Sequence, residues 1–184
     1  MKRSITTKTV TITTIALFSA LLTLASYVRI PVSPVPLTLQ APTALTIGYC
    51  LGPIHGALST LLYTIIGLLG VPVFASGGGP AYLLSPTFGY IIGFTISAII
   101  TGILARFNTT GSFLKVYCIM LIGLIGIYIP GVIWLYISLH WIATVPSSFG
   151  TLLKIGVGIP LAGNCITLIP FAYVSVRLRK ILAR

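Results

Sequence analysis

No aspartate and no glutamate occurs anywhere in the 184 residues. Without a side-chain carboxylate, the usual general acids, bases and carboxylate nucleophiles are gone. So are the hard oxygen ligands that hold Mg²⁺ or Ca²⁺, and the acidic groups that carry protons through many pumps. Charge of either sign is scarce: 6% of residues are charged, against about 25% in ordinary soluble domains. A chain that is 57% hydrophobic, with a mean hydropathy of +1.12, cannot coat a globule with polar groups, so most of its apolar surface belongs in lipid. Cysteine is also sparse. Cys50, Cys118 and Cys165 are scattered through apolar runs, with neither a disulfide framework nor a zinc spacing, and read as small buried residues. No Gly-x-x-x-x-Gly-Lys-Ser/Thr loop is present, which excludes ATP binding by that route. No nucleophile has a recognisable base, and His55 and His140 fall near opposite membrane faces. The chain does not read as an enzyme, and no cofactor or metal is expected.

What remains is a series of apolar runs. They predict an all-α membrane protein, one integral domain over residues 1–184, with six candidate spans at about 9–27, 39–51, 53–70, 87–107, 113–143 and 151–183. The basic start followed by an apolar run resembles a signal peptide in outline. Similar runs recur down the chain, which favours a first transmembrane helix. The stretch 113–143 exceeds the ~20 residues that cross a bilayer, and Pro130 is expected to kink or break it. Pro160 and Pro170 are expected to bend the last span. Pro53 suits a helix start, where its missing N–H costs nothing.

The formal net charge of +11 raises nucleic acid as a partner, but the cations sit at chain ends and loop edges. Lys2, Arg3, Lys8, Arg106, Lys115, Arg177, Arg179, Lys180 and Arg184 fall on one side of a six-span layout, and only Arg29 and Lys154 on the other. By the positive-inside rule the first group is cytoplasmic, as are both termini, in the cell membrane. The partner implied is the lipid bilayer, with no nucleic acid.

The outer side then receives loops 29–40, 71–86 and 145–150. The first holds Pro31, Pro34 and Pro36, which favour a stiff extended path. The second holds Gly77, Gly78 and Gly79, which permit close backbone approach to a ligand or loop movement. The cytoplasmic connections, Gly52-Pro53 and 108–111, are plainer, so a binding site belongs on the outer face. Arg29 and Lys154 either snorkel to water or capture an anion such as a carboxylate. Asn164 needs hydrogen-bond partners within its span, supplied by a neighbouring helix or by a ligand. Gln40 caps a helix end or meets ligand. Tyr63 and Tyr90 are packing residues, interface anchors or ligand contacts. Trp134, His140 and Trp141 fit an aromatic belt. In the first span Thr9, Thr13, Ala16, Ala20, Thr23 and Tyr27 recur at helical spacing and form one small or polar face. Such faces let helices approach closely, either inside the bundle or against a separate membrane subunit. Gly89 and Gly93 repeat the pattern in the fourth span.

Several segments together resemble the BioY family, the biotin-binding S components of energy-coupling factor (ECF) transporters. These are Pro34-Val35-Pro36-Leu37-Thr38-Leu39-Gln40; Leu51-Gly52-Pro53 with Gly56-Ala57-Leu58-Ser59, Leu62-Tyr63 and Gly67; and Gly70-Val71-Pro72-Val73-Phe74-Ala75-Ser76-Gly77-Gly78-Gly79 with Ser85-Pro86-Thr87-Phe88-Gly89-Tyr90. The likeness runs the length of the chain and is densest over 34–94. It implies a six-transmembrane-helix bundle of the S-component kind and biotin held near the outer face. It also implies a transmembrane coupling subunit and two ATPases as partners. Ala16 and Ala20 resemble the docking motif of S components. One departure stands out. The family usually carries Gly-Asp-x-x-Lys in its last helix, where this chain has Gly163-Asn164-Cys165-Ile166-Thr167. The Asp is expected to accept hydrogen bonds from a ureido ring. Asn164 still accepts through its amide oxygen, though a neutral acceptor is weaker than a charged one. Losing both charges together spares an unpaired buried ion. The expectation is retained but weaker biotin binding, or a shifted preference among similar molecules. The alternatives are an S component for another vitamin or a biotin precursor, and a non-transporting membrane scaffold.

Overall fold

The computed structural model describes residues 2–31, 35–108, 111–143 and 148–182, with side chains from residue 8 onward, Phe149 excepted. Residues 32–34 of the proline segment, 109–110 of the basic connection, 145–147 of the third outer turn and Arg184 therefore lie outside the described residues, as do the side chains of Lys2 and Arg3. The chain is helical almost throughout: α1 (Lys2–Tyr27), α2 (Gln40–Leu68), α3 (Phe88–Ala105), α4 (Phe113–Ile137), a short α5 (Phe149–Leu153) and α6 (Ile159–Leu182). Two short strands, β1 (Arg29–Ile30) and β2 (Leu37–Thr38), pair antiparallel between α1 and α2. A single 3₁₀ turn, Pro80–Leu84, precedes α3.

Among the described residues, five stretches are long and apolar enough to cross a membrane: Lys8–Tyr27, Gln40–Leu68, Phe88–Ala105, Phe113–Ile142 and Gly150–Leu182. The second covers two of the six spans expected from sequence, and its backbone explains the difference in count. Gly52 has φ 79° and ψ 178°, which no helix tolerates. An L-residue with a side chain avoids that region, and Pro53 next to it cannot donate the bond that would continue the helix. The chain therefore doubles back at Gly52. A methyl group on Gly56 would stand 2.9 Å from the Gly48 Cα. Gln40 and Tyr63, which a straight helix would hold about 35 Å apart, share a hydrogen bond.

Pro130 does not break α4, which runs unbroken from Phe113 to Ile137 and then widens into a π-turn at Ser138–Ile142. The Gly126 carbonyl that loses its donor to Pro130 faces the bare backbone of α3 at Gly93. In the last span Pro170 lies within an unbroken α6, and a π-turn at Lys154–Gly158 sits just before Pro160.

α3 lies between α2 and α4 and is the most enclosed helix. Leu22, Leu45, Met120, Leu124, Ile127 and Leu168 are fully buried between the helices. The outside is also apolar, with Leu17, Ile129, Ile133 and Ile166 more than half exposed. That inversion of the soluble pattern is what a bilayer-facing bundle requires, and the chain is a multi-pass membrane protein. The cysteines correct one expectation. Cys118 is exposed on the lipid-facing side, and Cys50 and Cys165 are only half-buried. Thiols cost little in a hydrocarbon environment, so nothing drives them into the core.

With no acids available, Arg177 and Arg179 find other partners. Arg179 donates to the Ala105 carbonyl at the end of α3 (2.8 Å) and lies over the Tyr49 ring (4.8 Å to its centre). A cation at a helix C-terminus also meets the negative end of the helix dipole. Arg177 lies over the Tyr173 ring in the same way.

Candidate functional site

At the opposite end of α3 from Arg179, a cavity of about 50 Å³ opens among five parts of the chain. Val35–Thr38 with Gln40 and Ala41 forms one wall, Ala75 and Tyr82 a second, and Thr87, Tyr90, Ile91 and Phe94 of α3 a third. Ile127 and Tyr128 of α4, with Pro160 and Asn164 of α6, complete it. Its lining is mostly apolar, with a few polar groups placed around it, which is the usual make-up of a small-molecule site. Of the residues singled out from sequence, Gln40, Tyr90 and Asn164 meet here.

Gln40 sits within a one-way chain of hydrogen bonds that starts at Thr38. The Thr38 hydroxyl donates to Gln40 Oε1 (3.0 Å). Gln40 Nε2 donates to the Tyr63 hydroxyl (2.5 Å), which donates to the Val73 carbonyl (3.2 Å). Aligned donors polarise one another. The chain ties β2, both arms of α2 and the glycine loop into one frame. Tyr63, 1% exposed, does not touch the cavity and acts from behind Gln40. Its ring meets Phe74 edge-on, and Phe74 in turn meets Tyr82 on the cavity wall.

Tyr90 is held by α6. Its hydroxyl donates to the Gly156 carbonyl (2.8 Å), on the π-turn just before Pro160. Tyr90 thereby ties α3 to a stretch of backbone where the regular helical ladder is interrupted. Its ring lies over Gly131, where a methyl group would come within 2.5 Å of the ring carbons.

Asn164 is 6% exposed and stands in the wall between the cavity and a second groove of about 170 Å³. Its Nδ2 donates to the Tyr128 hydroxyl (2.8 Å). Tyr128 was not visible as a site residue in the sequence. It lies 36 positions from Asn164, in a run of isoleucines and glycines where a tyrosine has no local signal. Arg29 lines the second groove together with Leu37, Thr38, Gly163, Asn164 and Thr167. Its guanidinium donates to the Ala75 carbonyl.

Gly77, Gly78 and Gly79 do not line the cavity. Gly77 and Gly79 take φ of 118° and 102°, and the Gly79 N–H donates to the Gly67 carbonyl (2.7 Å). These glycines fold the loop tightly onto the end of α2 and so place Ala75 and Tyr82. Lys154 is exposed on the π-turn before α6 and lines none of these walls. Trp134 donates to the Ser85 carbonyl (3.0 Å) and Ser138 to the Leu84 carbonyl (3.0 Å), so α4 holds the 80–87 segment in place.

α1 presents a second surface. It buries Phe18, Ser19, Leu22, Ala25 and Ser26, and leaves Thr9, Thr13, Ala16, Ala20 and Tyr27 outward, with Thr23 half-buried. The small face is not consumed by packing within this chain.

The family model described as the BioY family matches residues 1–184. A probable biotin transporter BioY from Lysinibacillus sphaericus is 36% identical over 175 residues, which is 94% of this chain and 88% of that protein. One from Pyrococcus horikoshii is 44% identical over 122 residues, 66% of this chain and 71% of that protein. The crystal structure of the S-component for biotin from an ECF-type ABC transporter superposes with a TM-score of 0.79 at 28% identity, covering 95% of this chain and 93% of the other.

Proposed function

The chain belongs to the BioY family, and from that premise we propose that it is the membrane subunit that captures biotin for uptake by an ECF transporter. It is not an enzyme. The observation that carries the reading is the meeting of Gln40, Tyr90 and Asn164 at one cavity, from three helices far apart in the sequence. The bicyclic ring takes the cavity, with its ureido edge at Asn164, whose amide oxygen accepts from the ring N–H. The acidic tail runs toward Arg29. The groove that Arg29 lines shares Leu37, Thr38 and Asn164 with the cavity, and a guanidinium binds a carboxylate through paired N–H donors.

The cavity end faces outward, with both termini on the cytoplasmic side, and the two arms of α2 count as separate traverses in a six-helix S-component bundle. Ala16 and Ala20 dock on a transmembrane coupling subunit that works with two ATPases. The support is the outward small face of α1 and the absence of a phosphate-binding loop from this chain.

Calorimetric titration of the purified chain tests the reading. Micromolar biotin is expected to bind saturably, and Asn164→Leu to abolish the signal without shifting the unfolding temperature of the unliganded protein by more than a few degrees. No heat from biotin with the unaltered chain would overturn it. Stronger binding of a biotin precursor in competition would move the assignment to that ligand.

A further inference from the structure

The polar groups that Asn164 and Tyr128 leave free are complementary to a neutral cyclic amide or urea. Asn164 spends an amide hydrogen on the Tyr128 oxygen. That bond fixes the face the amide presents and leaves Oδ1 as an unspent acceptor. Tyr128 accepts in that bond, so its own hydroxyl proton is still to be given, and no acceptor for it stands among the described residues. No fully buried side-chain oxygen or nitrogen among them lacks a partner, so the unspent Asn164 oxygen is not sealed away from open space. Both residues line the cavity. The Tyr128 ring is 8% exposed and meets Tyr90 edge-on, with 6.4 Å between ring centres, and Tyr90 is itself pinned to Gly156. The donor is therefore held on a braced ring.

We infer that Tyr128 is a specificity-determining residue. With Asn164 it forms an uncharged acceptor–donor pair that reads an adjacent N–H and C=O on the ligand, the edge shared by cyclic ureas and lactams. The inference rests on the proposed function, since it assigns a second contact to the same ligand ring. It also accounts for an amide at position 164. A carboxylate accepts at both oxygens and needs no orienting partner, whereas an amide recognises an N–H only when its oxygen faces the ligand. Tyr128 supplies that orientation and replaces the charge of an ionic site with a matched pair of neutral bonds.

The test uses the full chain in detergent, with biotin and a biotin analogue methylated on one ureido nitrogen as probes. Tyr128→Phe removes one oxygen atom and keeps the ring. It is expected to weaken biotin roughly tenfold or more, because a ligand carbonyl loses its donor and the amide loses its orientation. The unaltered chain is expected to prefer biotin over the methylated analogue at least tenfold, and Asn164→Asp is expected to reduce the cost of Tyr128→Phe. Binding of biotin by Tyr128→Phe within twofold of the unaltered chain would overturn the inference, as would equal binding of the two probes by the unaltered chain. Failure of the unaltered chain to bind biotin at all would instead overturn the proposed function.

Discussion

The cavity and the outward face of α1 are built in opposite ways. The α1 face is made by one helix. Residues three and four apart stack along it, and its property is smallness, repeated at Ala16 and Ala20. The cavity is made by five segments spread from residue 35 to residue 164, and its property is the direction of individual polar atoms. One surface fails when bulk is added anywhere along it. The other fails when a single hydrogen bond is turned or lost. The two should therefore separate cleanly under mutation, one governing delivery and the other governing capture.

The largest expected effect breaks delivery alone. Ala16→Leu with Ala20→Leu is expected to reduce biotin uptake to background in cells that carry a coupling module, because close helix approach needs small residues. The affinity of the purified variant for biotin is expected to stay within about twofold, since both positions are exposed and line neither the cavity nor the groove. Loss of binding together with uptake would show that the two surfaces are not independent. Next comes Arg29→Ala, expected to weaken biotin by roughly tenfold to a hundredfold through loss of a charge-assisted bond, with little effect on biotin methyl ester. An equal loss for acid and ester would remove Arg29 from the tail. Gln40→Ala interrupts the chain from Thr38 to Val73 and leaves the buried Tyr63 hydroxyl without its donor. A stability loss of about 1–3 kcal/mol is expected, seen as a lower unfolding temperature, with weaker binding as a consequence. The smallest effect belongs to Lys154→Ala. It is expected to change affinity less than about twofold, because an exposed cation outside both cavity walls contributes only screened, long-range charge.

Features that depend on neighbours in sequence were legible from the sequence. The apolar runs, the break at Gly52-Pro53 and the spacing of the α1 face are local patterns, and a membrane leaves few other ways to satisfy the backbone. Gln40, Tyr90 and Asn164 were legible because a polar side chain in an apolar run requires a reason. Their division of labour was not. Nothing local places Tyr63 behind Gln40, or assigns the Tyr90 hydroxyl to the Gly156 carbonyl. Arg29 and Lys154 looked equivalent as the two cations on the outer side, and only the packing of β1 and β2 brings Arg29 alone to the groove. Pro130 forbids one bond but does not dictate a break, and α4 continues through it. Tyr128 needed the three-dimensional pairing with Asn164 before it meant anything.

A structure of the full chain with biotin bound bears most directly on the claim that the cavity is the capture site. The ureido ring should lie beside Asn164, within hydrogen-bond distance of its amide oxygen, with the carboxylate turned toward Arg29. Biotin seated elsewhere on the bundle, with the space between Gln40, Tyr90 and Asn164 still closed by the protein's own side chains, would contradict it.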